Sequence, residues 1–316
     1  MTYQFTLKNF NHMATEHGMK HTYFPGITDI VVVTDPAAIR TISNDSRFDR
    51  DFIKHGPFRN VQRIRKLLRI FSFNGRLIDP LLPRTNPSRA VAQNELWLKL
   101  NAKAEEVRQG PAELEPLAEW VRGVGTADKL GMLVQQSIGR LFVETLTATE
   151  ESLAAARLML KAANSSNVLK MFGWRISGRL RRAKTLLASM VKGDLTGVIA
   201  MITARQLIDD GLQKMRQLAA DPAIRDSITT DVAVDECLFA PPTTLRQTKT
   251  SGEVGGCPFR KGSLFILGLG SASKGAANRD LLFLSQSWSR CPAEKWVPAL
   301  LEGVWIRSVA GFKSPR

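Results

Sequence analysis

The middle of the chain carries the pattern that most constrains the fold. From about residue 89 to residue 221, apolar side chains recur at helical spacing, interrupted mainly by glycines. The flanks differ: residues 30–34 form a β-branched run typical of a buried strand, and residues 244–269 form short, glycine-rich strand and turn patterns. The N-terminal strand has no partner nearby in sequence, so we expect it to pair with the C-terminal strands. The chain is therefore predicted to be mostly α with a small β portion, and residues 1–316 are predicted to form a single domain.

Several local signals predict where elements begin and end. Asp35 is a natural N-cap and Pro36 a natural first helical residue, so the strand at 30–34 is predicted to lead directly into a short helix. Residues 79–88 are predicted to form a proline-rich loop, and residues 231–238 and 293–306 are each predicted to form a helix.

Composition excludes several classes of protein. With 316 residues, 44% hydrophobic and 23% charged, the chain is typical of a globular protein rather than a disordered, collagen-like or membrane-embedded one. The opening residues lack the apolar core of a secretory signal, and the apolar stretches near residues 195–204 and 263–269 are too short or interrupted to cross a bilayer. Cys237, Cys257 and Cys291 match no zinc or CxxC spacing, which indicates a reducing compartment and predicts a cytoplasmic protein.

The chain is strongly basic. It has 44 Lys and Arg against 29 Asp and Glu, a formal charge of +15, and an isoelectric point near 10.1. Two basic clusters stand out; they consist of Arg59, Arg63, Arg65, Lys66 and Arg69, and of Arg175, Arg179, Arg181, Arg182 and Lys184. Their possible roles are a solvated helix face, a docking surface for an acidic protein, or phosphate binding. No nucleic-acid motif accompanies them, so we do not expect a nucleic-acid partner.

Other common chemistries find no support in the sequence. His17 and His21 are four residues apart, but no third metal ligand accompanies them. No Gly-x-Ser-x-Gly motif is present, and residues 268–273 are only a weak dinucleotide-binding signal.

The C-terminal third contains short motifs in a characteristic order. They are residues 234–242, Leu245-Arg246, residues 255–264, residues 276–280 and residues 291–294. In this order they resemble the K-helix with its proline pair, the following strands, the Asn-Arg-Asp turn and the proximal cysteine region of the cytochrome P-450 family of heme-thiolate enzymes. Residues 30–40 are similar to that family's first strand and B-helix, and Asp221-Pro222 to the end of its central helices. The resemblance implies a cytochrome P-450-like helical fold, truncated or degenerate.

The resemblance also implies a cofactor site. Cys291 would bind heme iron, because a thiolate ligand favours O–O cleavage, and the helix expected after it would stabilise the thiolate. Arg246 resembles the strand arginine that binds a heme propionate. The alternatives are that Cys291 is a partly buried structural cysteine and Arg246 an ordinary exposed arginine. Cys237 and Cys257 are most simply core or strand cysteines.

The sequence departs from the family pattern in several places, and residues 197–203 of the presumed central helix contain Thr203 without a neighbouring carboxylate. Phe239 stands where the Glu-x-x-Arg motif beginning at Glu236 expects arginine, and only ten residues separate Asp280 from Cys291. Ser287 and Ser289 replace the glycine and the His or Arg before the cysteine. Two functions are therefore predicted. The first is a heme-thiolate oxidoreductase of monooxygenase or peroxygenase type acting on a small apolar substrate, with an acidic ferredoxin-type redox partner. The alternative is a heme-free auxiliary or binding protein that partners another enzyme.

Overall fold

A computed structural model describes residues 18–73, 75–78, 81–110, 112–165 and 167–313. His17, the opening of the chain and residues 79–80 of the predicted proline-rich loop lie outside the described residues. The strands are β1 Met19–Phe24, β2 Thr28–Val33, β3 Phe48–Asp49, β4 Ser72–Phe73, β5 Arg76–Leu77, β6 Thr244–Thr248, β7 Gly252–Val254, β8 Cys257–Phe259 and β9 Leu264–Leu267.

Helices dominate the described residues. They are α1 Pro36–Asn44, α2 Phe58–Ile70, α3 Pro87–Arg108, α4 Glu115–Val121, α5 Ala127–Arg140, α6 Glu150–Asn164, α7 Val168–Ile176, α8 Arg179–Met190, α9 Leu195–Ile199, α10 Arg205–Ala220, α11 Pro222–Ser227, α12 Thr230–Cys237, α13 Leu269–Ala272, α14 Asp280–Phe283 and α15 Trp296–Lys313. Short 3-10 turns occur at Ala112–Leu114 and Ala276–Asn278, and a π-helical turn, Ala200–Ala204, joins α9 to α10.

The chain divides into two compact units, each assembled from three segments. Unit 1 comprises Met1–Gln93, Leu160–Arg179 and Ala240–Cys291, and unit 2 comprises Asn94–Met159, Leu180–Phe239 and Pro292–Arg316. That residues 1–316 act as a single domain stays a prediction.

Unit 1 is built around a five-stranded sheet with the strand order β1-β2-β9-β6-β3. Strand β2 pairs in parallel with β9, with Ile30 opposite Leu264, while β6 pairs with β9 in the antiparallel sense. The predicted pairing of the N-terminal and C-terminal strands is confirmed. The expectation that the N-terminal strand has no partner nearby in sequence is wrong, because β1 pairs with β2 in the antiparallel sense on its other edge.

Both faces of β2 are covered, which explains its uninterrupted apolar run. Val31 and Val33 point into one buried cluster with Ile39 of α1, and Ile30 and Val32 into another with Ile64 of α2. Each such side chain contributes about 1.5–3 kcal/mol on burial. Alternation along one strand thus fixes α1 and α2 on opposite faces of the sheet.

The junction after β2 has the predicted local structure. The Asp35 carboxylate accepts a hydrogen bond from the backbone N–H of Ala38 at 2.6 Å, and Pro36 occupies the first turn of α1. An N-cap of this kind is worth about 1 kcal/mol.

Unit 2 is helical in its described residues. The long helix α10 buries Ile208, Leu212 and Met215 and packs against α4, α5, α12 and α15. A Cβ atom at Gly211 would lie 2.5 Å from the carbonyl oxygen of Cys237, so glycine is required where α10 approaches the end of α12.

Two predicted helix boundaries move by a few residues. Helix α12 covers Thr230–Cys237 where 231–238 was predicted, and α15 begins at Trp296 rather than at residue 293 and continues to Lys313. The first helical hydrogen bond of α15 still reaches back to the Ala293 carbonyl, because Val297 donates to it at 3.0 Å. Among the described residues, no helix combines the length and apolar composition needed to cross a membrane.

Candidate functional site

Arg246 lies on the central part of the unit 1 sheet and is fully buried. It belongs to β6, and its exposed fraction is 0%. Its guanidinium donates to the Leu245 carbonyl at 2.8 Å, to the Thr244 hydroxyl at 3.3 Å, and to the hydroxyl of Ser289. Its Nε has no hydrogen-bond partner within the described part of the chain. The interpretation of Arg246 as an ordinary exposed arginine is therefore wrong. Its side chain is fully buried, and a buried cation needs a specific partner.

Three guanidinium groups converge on one indole. The Cζ atoms of Arg89, Arg246 and Arg50 lie 4.3, 5.2 and 5.6 Å from the ring centroid of Trp288. Arg89, in the first turn of α3, is 6% exposed and also donates to the Trp288 carbonyl at 3.3 Å. A ring face attracts each cation, but it cannot cancel the repulsion among three of them.

The carboxylate near this cluster is already engaged. Asp49 accepts backbone hydrogen bonds from Arg50 at 2.6 Å and Arg84 at 2.8 Å, and its other oxygen lies 2.5 Å from Nζ of Lys249. Asp49 is therefore shared between Lys249 and the arginines nearby. Burial first, and then repulsion from Arg89, lower the pKa of Arg246 to about 9, against the opposing attraction of Asp49. The pKa of Arg50 is lowered by burial and by both other arginines.

A short chain of hydroxyl groups connects the cluster to the cysteine segment. Ser289 hydrogen-bonds Ser287 through their hydroxyl oxygens at 3.0 Å, and the Ser287 hydroxyl donates to the carbonyl of Ser43 at 3.1 Å. The backbone N–H of Cys291 donates to the Phe283 carbonyl at 2.7 Å. Two residues of chain span at most about 7 Å, so Cys291 is held close to the serine that binds Arg246.

The three cysteines have different environments. Cys237 is buried in unit 2, and burial raises its thiol pKa to about 12. Cys257 lies in β8, and burial raises its pKa as well. Both are core or strand cysteines, as predicted. Cys291 is half-buried and precedes α15 by five residues, so it lies before the helix rather than in its first turn.

The Asn-Arg-Asp turn, residues 278–280, contacts α1, which belongs to the family-like segment at residues 30–40. Arg40 of α1 binds Asp280 through two hydrogen bonds of 2.9 and 2.6 Å and donates to the Asn278 side chain at 3.0 Å. The bidentate pair fastens α1 to α14, and hydrogen bonding lowers the pKa of Asp280.

The Glu-x-x-Arg position carries no comparable network. The Glu236 side chain is 57% exposed, and its described ion pair is a 3.9 Å contact with Lys214. Phe239 is 43% exposed. Glu236 and Phe239 therefore do not form the ion-pair network that the Glu-x-x-Arg motif of the family implies.

No protein-family model and no curated protein matches the sequence. Solved structures do match. Cytochrome P450EX alpha with myristic acid aligns with a TM-score of 0.63 at 14% identity, covering 95% of this chain and 85% of that chain. Cytochrome P450SP alpha in complex with (R)-ibuprophen aligns with a TM-score of 0.62 at 13% identity, covering 95% and 87%. Ligand-free cytochrome P450 OleT gives 0.59 at 14% identity, covering 94% and 84%.

The chain has the cytochrome P450 fold. The recognised resemblance is confirmed at the level of fold, and the fold class is confirmed with it. Likeness at 13–14% identity shows the fold alone, so the chemistry of this P450-like chain has to be argued from its own residues.

The donor set in unit 1 fits the group that the P450 fold implies. Heme presents two carboxylates and an iron that accepts a thiolate. The arginine cluster offers buried cations with an unsatisfied Nε, and Cys291 lies within about 7 Å of chain length from Ser289. Within the described ranges, no group of three or more His, Cys, Asp and Glu side chains is placed to hold a separate metal ion.

Sequence reasoning named Arg246 and Cys291 but not the residues that surround Arg246. Arg50 and Arg89 belong to no motif, and their proximity to β6 arises only in the folded unit. Trp288 offered the one available signal, an aromatic residue three positions before the cysteine.

Proposed function

We propose that this P450-like chain is a heme-thiolate oxidoreductase of monooxygenase or peroxygenase type acting on a small apolar substrate. The observation that carries the proposal is the fully buried Arg246 beside the Cys291 segment, whose Nε has no hydrogen-bond partner within the described part of the chain. A buried donor of this kind is costly unless an acceptor accompanies it. The carboxylates of heme would supply that acceptor.

The chain's own residues have separate roles in this proposal. Cys291, deprotonated, would bind the heme iron. Arg246 and Arg89 would bind carboxylate oxygens as charge-assisted donors, and the Ser289 hydroxyl accepts a hydrogen bond from Arg246 and so orients it. Heme supplies activation of oxygen or peroxide, which a thiolate ligand favours.

The proposed electron donor is an acidic ferredoxin-type protein. Helix α2 buries Ile64 and Ile70 and exposes Arg59, Arg65 and Arg69. Such a face would raise the encounter rate with an acidic partner, and the effect would fall with added salt. Peroxide use would make this partner unnecessary.

A second candidate function is a heme-free auxiliary protein with the P450 fold. The exposed Glu236 and Phe239 favour it, because the brace that usually supports the cysteine region is missing. This protein would carry no iron and would co-purify with the enzyme it assists.

The test is the spectrum of the reduced, carbon-monoxide-bound protein purified with heme available. We expect a thiolate-type Soret band in the natural protein, its loss in Cys291→Ser, and its retention in Cys257→Ser. Cys257 is the matched control because it is also partly exposed and belongs to the same unit. Iron analysis accompanies each spectrum.

Two outcomes contradict the proposal. A natural protein without iron or a thiolate band would favour the auxiliary function. A band that persists unchanged in Cys291→Ser would show that another residue binds the iron.

A further inference from the structure

The loop that leads to Cys291 is closed by its own backbone hydrogen bonds. Residues 284–287 and 287–290 form two successive turns, in which the N–H of the last residue donates to the carbonyl of the first at 2.8 and 3.0 Å. The N–H of Cys291 then donates to the carbonyl of Phe283 at 2.7 Å. The end of the loop is therefore bound to its beginning, at the last residue of α14.

Leu284 reverses the chain at the start of this loop. It ends α14 in the left-handed region, with φ 52° and ψ 45°. A leucine is rare in this region and persists there only where surrounding contacts hold it. Its side chain makes such contacts, because it is 7% exposed and packs in one buried cluster with Leu281 and Ile39. The reversal leaves the Phe283 carbonyl outside the bonds of α14, where it accepts from Cys291.

Helix α3 holds the same peptide unit from the other side. The Gln93 side chain donates through Nε2 to the carbonyl of Arg290 at 2.8 Å. That carbonyl and the N–H of Cys291 belong to a single planar peptide unit, which also contains the Cα of Cys291. Both polar groups of the unit are thus bonded, one to α3 and one to the end of α14. A planar group held at both ends cannot rotate freely, so the Cα of Cys291 is fixed with it.

A second side chain of α3 binds the loop one helical turn earlier. Arg89 donates to the carbonyl of Trp288 at 3.3 Å. Arg89 and Gln93 are four residues apart and therefore lie on the same face of α3. They bind the carbonyls of residues 288 and 290, so α3 holds the loop at two alternate positions. All these residues belong to unit 1.

The contacts from α3 matter more in this chain because the family's usual support is absent. Glu236 and Phe239 do not form the Glu-x-x-Arg network, and both are largely exposed. The orientation of Cys291 consequently depends on the loop's own bonds and on the elements that reach it. Gln93 is the one described side chain that bonds the peptide unit directly preceding Cys291.

We propose that Gln93 is a positioning residue for Cys291. It acts through the Arg290 carbonyl and, together with the Phe283 carbonyl, clamps the peptide unit from which the ligand side chain projects. The purpose of the clamp rests on the heme-thiolate function proposed above. The clamp itself is present in the heme-free chain and is tested there separately.

The first test is hydrogen exchange of the full heme-free chain, followed by mass spectrometry of the peptide that contains Cys291. Gln93→Leu removes the donor at similar volume, and Gln93→Glu replaces it with an oxygen that the Arg290 carbonyl repels. In both variants the Cys291 amide should exchange about threefold to tenfold faster, because one of the two bonds that hold its peptide unit is lost. The matched control is Asn94→Leu, an exposed amide on the same helix, which should leave the exchange unchanged.

The second test uses the protein loaded with heme and reduced under carbon monoxide. Gln93→Leu and Gln93→Glu should keep the iron content of the natural protein but show a smaller fraction of the thiolate-type band. The pH at which half of that band is lost on acidification should be higher in both variants, since a poorly oriented thiolate is protonated more readily. A contact that only stabilises the fold would lower the unfolding temperature without moving this pH.

The outcomes separate this proposal from the function on which it rests. Unchanged exchange at the Cys291 amide in both Gln93 variants overturns the clamp, whatever the spectrum of the natural protein. Faster exchange with an unmoved pH of band loss would overturn the positioning role and leave only a structural contact. Faster exchange in a natural protein that shows no thiolate band would support the clamp and contradict the heme function alone.

Discussion

Two fully buried arginines, one in each unit, are stabilised in opposite ways. Arg205 of α10 and Arg246 of β6 are both 0% exposed. Arg205 pairs with the Asp209 carboxylate one helical turn later and donates to the Gln206 side chain at 3.0 Å. Arg246 has hydroxyl and carbonyl acceptors, and its charged neighbours are the like-charged Arg50 and Arg89 together with Asp49, which also pairs with Lys249.

This difference separates an ion pair that is complete within its own helix from a buried arginine whose described hydrogen bonds go to neutral acceptors. The Arg205–Asp209 pair is locally neutral. Arg246 shares the nearby Asp49 with Lys249 and is repelled by Arg89. In the function proposed above, a bound anion would turn this repulsion into attraction, as in a site preorganised for a charged ligand.

The largest expected effect comes from removing each arginine in the heme-free protein. Arg205→Met leaves Asp209 buried and unpaired and should lower the free energy of unfolding by about 3–5 kcal/mol. Arg246→Met removes a repelled cation along with its hydrogen bonds and should change that energy by at most about 1 kcal/mol. Urea denaturation measures both. Equal losses would show that Arg246 is as structural as Arg205.

The second expected effect is a pH dependence that arises at the Arg205–Asp209 pair. Burial raises the pKa of Asp209 from 3.8 to about 6, despite the lowering effect of Arg205. Because the folded pKa exceeds the unfolded one, the stabilising contribution is present below about pH 4 and is lost as the pH rises through about 6. The loss is about 3 kcal/mol.

Unfolding energies measured from pH 4 to 7 should therefore fall more steeply for the natural protein than for Asp209→Asn. Parallel slopes for the two proteins would show that Asp209 does not titrate in this range.

The third expected effect tests Arg246 with the proposed ligand, heme. Arg246→Met should weaken heme binding about 10–100-fold, because a charged hydrogen bond is worth about 1.5–3 kcal/mol. Titration of the heme-free protein with heme, followed by Soret absorbance, gives the affinity. Arg260→Met is the control, since Arg260 is exposed and contacts Tyr23. Similar losses in both variants would remove the distinction between this cluster and surface charge.

The smallest expected effect concerns a compensated arginine that is partly in solvent. The side chains of Arg40 and Asp280 are 33% and 21% exposed, so screening limits their attraction. Arg40→Met should cost about 1 kcal/mol of unfolding free energy, well below the cost of Arg205→Met. A loss of unfolding free energy near that of Arg205→Met would mean that burial does not determine how much these ion pairs stabilise the protein.

Sequence patterns predicted the elements whose signals are local. The run in β2, the cap at Asp35 and the strand β6 at residues 244–248 all follow from residues within a few positions of one another. The boundary of α15 was predicted less well, because its first turn depends on where Ala293 accepts its hydrogen bond. The apolar side chains that α7 exposes could not be predicted, since apolar residues at helical spacing look the same whether they face a core or a solvent.

The sequence by itself determined which residues are available: a cysteine followed by proline near the last helix, an arginine two residues into a strand, and an excess of positive charge. Tertiary structure decided what that charge means. By pairing β2 with β9 and β9 with β6, the fold buries Arg246 and brings Arg50, Arg89 and Trp288 to it from distant segments. Burial removes the water that would otherwise screen these cations, so charges that are unremarkable along the chain interact strongly once they are brought together.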